Sequence, residues 1–112
     1  MKTIRYTKGD ELEGIDITWP EPDGSLYDFS SGWSFRARIG NPGQAALAEK
    51  TTGFAGGSTA PNLVISWAAT ELDAVPSGSY HLDITATVIA TNQDLTYTLV
   101  FQILDRVLAA AP

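Results

Sequence analysis

Apolar and polar residues alternate along this chain in one short run after another, and no run has the spacing of a long helix. The longest clean example is Ser79-Tyr80-His81-Leu82-Asp83-Ile84-Thr85-Ala86-Thr87-Val88. Side chains alternate across a β-strand, so Tyr80, Leu82, Ile84, Ala86 and Val88 share a buried face while His81, Asp83, Thr85 and Thr87 meet solvent. Leu95 to Leu104 repeats the pattern, with Tyr97, Leu99, Phe101 and Ile103 inward and Thr96, Thr98, Val100 and Gln102 outward. With Thr91-Asn92-Gln93-Asp94 as the turn, the two runs predict a long antiparallel hairpin.

Earlier runs obey the same period. Residues 2–7 predict a short edge strand. Glu13 to Trp19 places Ile15, Ile17 and Trp19 inward; Trp33 to Ile39 places Trp33, Phe35, Ala37 and Ile39 inward, with Ser34, Arg36 and Arg38 outward. Pro20 after Trp19 suggests a position at the rim for that ring. Asn62 to Trp67 turns Leu63, Ile65 and Trp67 inward, and Ala45 to Thr51 predicts a weaker strand centred on Leu47 and Glu49. Turn residues separate the runs: Pro20-Glu21-Pro22-Asp23-Gly24-Ser25, Ser30-Ser31-Gly32 and Gly40-Asn41-Pro42-Gly43. Gly53 to Pro61 carries three glycines and reads as a mobile loop able to order on a neighbour. Thr70-Glu71-Leu72-Asp73 predicts one helical turn with Thr70 as its N-cap. Leu72 to Tyr80, through Pro76-Ser77-Gly78, has the form of the corner that enters a late strand of immunoglobulin domains. About seven short strands at this spacing predict an all-β, immunoglobulin-like antiparallel sandwich over residues 1–106, followed by an apolar tail over residues 107–112.

The 112 residues suit one domain, and 44% apolar content supports a core built without staples. Cysteine is absent, which removes disulfides and thiolate metal sites. The net charge of −6 is concentrated early, at Asp10, Glu11, Glu13, Asp16, Glu21, Asp23 and Asp28. That balance disfavours nucleic acid and anionic membrane as partners. The polar opening lacks the apolar stretch of a signal peptide, and no run reaches the ~20 apolar residues of a membrane span, so synthesis in a cytoplasm is expected.

Several stretches resemble a family. Ile4-Arg5-Tyr6-Thr7-Lys8-Gly9-Asp10 with Ile15-Asp16-Ile17-Thr18-Trp19, then Asp23-Gly24-Ser25, Ser31-Gly32-Trp33-Ser34-Phe35-Arg36-Ala37-Arg38-Ile39, and Pro76 to Ile84 look like small structural proteins of tailed phages. The resemblance is to the immunoglobulin-like domain that begins phage upper-baseplate proteins, and to free-standing phage or prophage proteins of similar length. It implies a virion building block of tail, baseplate, neck or capsid, made in a bacterial host cytoplasm. Its partners would be other virion proteins and copies of itself, with no catalytic residue. A cysteine-free chain beginning at Met1 without a signal suits such a particle.

The residues that bear on chemistry point the same way. His81 is the only histidine, and neither the third ligand a metal needs nor a Gly-x-Ser-x-Gly elbow accompanies it. No enzyme activity, metal or cofactor is therefore expected. Arg36 and Arg38 form a basic stripe, either paired across strands with Asp16 or Asp83 or available to an acidic partner. Outward Val64, Ile89 and Val100 break the polar pattern and are candidates for contact, as are Val107 and Leu108 in the tail. The competing expectation is a carbohydrate-binding or host-adhesion module, which requires an aromatic platform at the surface.

Overall fold

The computed structural model describes residues 3–8, 14–67, 72 and 74–105. Eight strands run in chain order: β1 (Thr3–Thr7), β2 (Ile15–Ile17), β3 (Trp33–Gly40), β4 (Ala48–Lys50), β5 (Phe54–Gly56), β6 (Leu63–Ile65), β7 (Gly78–Val88) and β8 (Asp94–Leu104). They form a five-stranded sheet of order β1-β8-β7-β3-β4 and a three-stranded sheet of order β2-β6-β5. This is an immunoglobulin-like sandwich. Two features depart from the sequence expectation: there are eight strands among the described residues, and β1 runs parallel to β8, so the large sheet is mixed. The chain enters β1 on the far side of the β7–β8 hairpin, which parallel pairing permits because a long connection separates the two strands.

The β7–β8 hairpin pairs Gly78 with Ile103 through to Thr87 with Asp94. Asn92, at φ 56°, closes its turn, and its N–H donates to the Val88 carbonyl at 2.8 Å. The inward residues Leu82, Ile84, Ala86, Leu99, Phe101 and Ile103 lose all contact with solvent against Ile15, Ile17, Leu63 and Ile65 of the small sheet. The outward residues His81, Asp83, Thr85 and Thr87 are half-buried rather than open, since strands flank β7 on both sides.

The corner before β7 is a tyrosine corner: the Tyr80 hydroxyl donates to the Pro76 carbonyl at 2.6 Å. Leu72 is fully buried below it, and the Val75 N–H donates to the Leu72 carbonyl. Of the predicted helical turn, Thr70, Glu71 and Asp73 lie outside the described residues, as do the tail residues Val107 and Leu108.

The predicted mobile loop at Gly53–Pro61 is instead built into the fold. Phe54–Gly56 pairs with β6, and the Ser66 N–H donates to the Gly53 carbonyl at 2.9 Å. Gly56 permits this: a Cβ there would stand 2.1 Å from the Phe29 carbonyl oxygen, so only glycine lets the two backbones meet. Beside it the Phe29 N–H donates to the Gly57 carbonyl, and the Gly57 N–H donates to the Asn62 carbonyl, each at 3.0 Å.

Asn62 is the one buried polar residue of the core among those described. Its side-chain oxygen accepts from the Trp19 N–H at 2.7 Å, and its amide nitrogen donates to the carbonyls of Trp19 and Tyr27 at 2.9 and 3.0 Å. One side chain thus satisfies three main-chain groups that the short strands leave over. Trp19 is consequently buried rather than at the rim, and it packs with Tyr27, Phe29 and Tyr97 at ring separations of 5.3 to 6.2 Å.

Candidate interaction edge along strand 3

Strand β3 alternates as the sequence predicts, yet its two halves have different neighbours. Against β7 it is paired along its whole length, Trp33 with Val88 through Gly40 with His81. On the other side β4 covers only Ala37, Arg38 and Ile39. Past Lys50 the chain leaves for the small sheet, turning at Gly53 with φ 82°.

The hydrogen-bond phase shows what this leaves open. The Ile89 N–H donates to the Gly32 carbonyl at 3.1 Å, so even-numbered residues of β3 turn their peptide groups towards β7. Odd-numbered residues turn theirs away, as the Ile39 carbonyl does in accepting from the Leu47 N–H at 2.8 Å. The N–H and C=O groups of Trp33 and Phe35 therefore face a side on which no strand among the described residues pairs with them.

Trp33 to Arg36 line a groove of about 710 Å³ with Ser30, Ser31 and Thr51 to Gly53, and it extends over the outward face of the large sheet to Arg38, Thr85, Thr87 and Asp94. Its inner flank is aromatic. Phe35 and Phe54 stack at 5.4 Å, Phe29 meets Phe35 edge-on at 5.3 Å, and Trp33 meets Phe29 edge-on at 4.9 Å. Trp33, Phe35 and Phe54 remain half-buried, and the Trp33 indole N–H donates to the Asp28 carbonyl at 3.0 Å.

Of the charged groups around the groove, Arg36 has an ion-pair partner. Arg36 pairs through its Nε with a Glu49 carboxylate oxygen of β4, not with Asp16 or Asp83 as the sequence suggested. Asp16 belongs to the other sheet, opposite Val64, and Asp83 accepts from the Thr98 hydroxyl at 2.8 Å. The Arg36 hydrogen bond holds the Glu49 carboxyl below its ordinary range, and that bond raises Arg36 in turn. Arg38 stands between Glu49 and Asp83 in the register. The Asp28 carboxylate accepts from the hydroxyl and N–H of Ser30 and is lowered by both; Asp94 accepts from the Thr87 hydroxyl at 2.7 Å.

The other contact candidates are not brought together. Val64 lies on the outer face of the small sheet, half-covered by Gly14, where a Cβ would come within 2.6 Å of it. Val100 lies half-buried on the outer face of the large sheet, between Thr3 and His81. Ile89, at 62% exposure, sits at the hairpin end. A single patch through all three is therefore excluded by geometry. Sequence reading missed Phe29, Phe54, Gly56 and Asn62; the odd-numbered aromatic series Tyr27, Phe29, Trp33 and Phe35 was the available signal for the cluster.

Across the sandwich, Lys50 lies over the Trp67 ring at 4.7 Å and donates to the Ser66 carbonyl, closing the β4 edge against the small sheet. Among the described residues no group of three or more histidine, aspartate or glutamate side chains is placed to hold a metal, and no helix is long and apolar enough to cross a membrane. Comparison with family models, curated proteins and solved structures returned no match.

Proposed function

We propose that the protein is a non-enzymatic structural component of a phage virion and acts by protein–protein assembly, with the open edge of β3 as its docking surface. The observation that carries the assembly reading is the unpaired stretch from Trp33 to Arg36, whose Trp33 and Phe35 peptide groups face an aromatic-lined groove. Exposed strand edges pair with other chains unless they are blunted, and proteins exploit them to add a strand from a partner. The other edges of the large sheet are β4, three residues long, and β1, five residues long with Arg5 bonded to Gln102 at 3.1 Å. The virion setting is supported by the resemblance of the stretches around Ile4, Trp33 and Tyr80 to phage structural domains.

Quantitative mass spectrometry of purified particles from the source lysate tests it. The expected result is this chain at fixed stoichiometry to the major capsid protein: many copies for a capsid decoration, few for a neck, tail or baseplate position. Abundance in the lysate with absence from particles would overturn the virion reading.

One observation favours a second reading. Half-buried Trp33, Phe35 and Phe54 beside Ser, Thr and Arg36 side chains resemble in composition a sugar-stacking platform. The rings, however, stack on one another rather than presenting free faces side by side. Saturable quenching of tryptophan fluorescence by a polysaccharide would favour this alternative.

A further inference from the structure

We propose that the strand docked beside Trp33–Arg36 carries a carboxylate side chain that pairs with Arg38, so that the occupant is an acidic extended segment of a partner protein. The proposal rests on the assembly reading of the same edge and names the chemistry of its occupant.

Arg38 lies between two carboxylates in the register, Glu49 on β4 and Asp83 on β7, and bonds to neither. The Glu49 carboxylate accepts from the Arg36 Nε–H, and Asp83 accepts from the Thr98 hydroxyl at 2.8 Å. The charge of Arg38 lowers the Glu49 carboxyl less than the bond from Arg36 does. Among the described residues Arg38 has no hydrogen bond or ion pair, and it is exposed. A guanidinium is a planar fork of donors that matches a carboxylate through two parallel hydrogen bonds.

The groove joins this side chain to the open edge. Arg38 lines the groove of about 710 Å³ along Trp33 to Arg36, and also a neighbouring one of about 410 Å³ beside Asn41, Gln44 and His81. An occupant pairing with the Trp33 and Phe35 peptide groups therefore shares one concavity with the Arg38 guanidinium. The outward side chains around that path are the hydroxyls of Ser34, Thr85 and Thr87, together with Arg36, which Glu49 holds. On the inner side the Phe35–Phe54 stack favours small or apolar side chains at alternate positions.

Asp94 gives the groove a direction. Ser34 pairs with Thr87 and Thr87 with Asp94, so Asp94 lies at the level of Ser34. That level is four residues, or about 13 Å, from Arg38 along β3. A carboxylate is thus favoured at the Arg38 end and repelled at the other. Main-chain pairing supplies the affinity, and the charged end fixes register and orientation. Because the site is exposed and Glu49 and Asp83 stand near, the pairing is expected to give about a fivefold preference.

The test uses the full chain and two capped peptides, acetyl-Glu-Thr-Val-Thr-Val-Thr-amide and acetyl-Thr-Val-Thr-Val-Thr-Glu-amide, each beside a version with lysine for glutamate. The two orders place glutamate at the Arg38 end of an antiparallel and of a parallel strand respectively. One glutamate peptide should slow amide exchange at Phe35, leave Ala37 unchanged, and bind about fivefold more tightly than its lysine counterpart. Arg38→Gln, with an unchanged Tm, should erase that preference, and Glu49→Gln should enlarge it by removing a competing carboxylate. Equal affinity of glutamate and lysine peptides overturns the proposal, as does a preference that survives Arg38→Gln; either result leaves the edge itself standing. Arg38-dependent binding of polygalacturonate that leaves Phe35 exchange unchanged also overturns it, in favour of an acidic sugar. If none of the four peptides protects Phe35, the edge is not a docking site and the proposal falls together with that reading.

Discussion

The two sheets of this sandwich are held by different means. The large sheet rests on length: β7 and β8 are eleven residues each, and β3 adds eight. Their inward faces repeat the same contact many times, so no single side chain decides the structure. The small sheet has three strands of three residues, too short to specify a register by alternation. It depends instead on single residues: Asn62 gathering three main-chain groups, and Gly56 letting Phe29 approach. Redundancy in one layer supports singularity in the other. The groove lies where they part, because the chain that leaves β4 to build the small sheet stops covering β3.

Removing the singular residues should therefore do the most damage. Asn62→Ala strands the Trp19 N–H and the Trp19 and Tyr27 carbonyls in the core, a loss of about 3–5 kcal/mol at roughly 1–3 kcal/mol per buried group, softened by relaxation. Against a typical total of about 5–15 kcal/mol, urea denaturation should show a protein near the limit of folding. A midpoint close to wild type would mean that the small sheet has redundancy we have not recognised. Gly56→Ala should cost about 2–3 kcal/mol, since the added methyl forces the Phe29 carbonyl away. An altered Trp19 fluorescence should accompany it, as the aromatic cluster hangs from Phe29.

Tyr80→Phe sharpens the contrast from the other layer. The Tyr80 ring stays packed in the long hairpin and loses only the bond to the Pro76 carbonyl, a change of about 1 kcal/mol in calorimetric stability. Val100→Asp, on the outer face of the same hairpin, should stay within about 1 kcal/mol of wild type. Unfolding of that variant would show that its half-buried face carries more than its flanking Thr3 and His81 suggest.

The smallest expected effect is that of pH. Asp23 and Asp28 are lowered by hydrogen bonds from Ser25 and Ser30, and Glu49 by its bond from Arg36. A carboxyl lowered in the folded state stabilises it above the ordinary carboxylate pKa and ceases to as pH falls through the lowered value. Thermal stability should thus hold above about pH 5 and decline below about pH 4, with a slightly shallower decline in Glu49→Gln and at high salt. A Tm that rises on acidification would contradict these assignments.

The same division decides how much could be read from the sequence. The fully buried residues of β7 and β8, from Tyr80 to Ile103, were legible, because alternation over ten residues has one solution, and Pro76-Ser77-Gly78 marked the corner; Val88, expected on the same face, is only half-buried. Gly53 to Pro61 was not, because glycine signals freedom in a sequence and close approach in a fold. Nothing around Asn62 distinguishes a surface turn residue from the keystone of a buried junction. The partner of Arg36 was missed for a related reason: Glu49 sits on a strand whose three residues carry little pattern. The candidate site inherits both outcomes. Its floor was legible as the Trp33 strand, whereas its openness depends on where β4 departs, which is a property of the whole fold.

Amide hydrogen exchange along β3, in the isolated protein and in the assembled particle, tests the central claim most directly. The account predicts rapid exchange at Trp33 and Phe35 beside slow exchange at Ala37 and Ile39 in the isolated chain, with Trp33 and Phe35 becoming protected on assembly. Equal protection of both halves in the isolated chain, or no change at Phe35 on assembly, would contradict it.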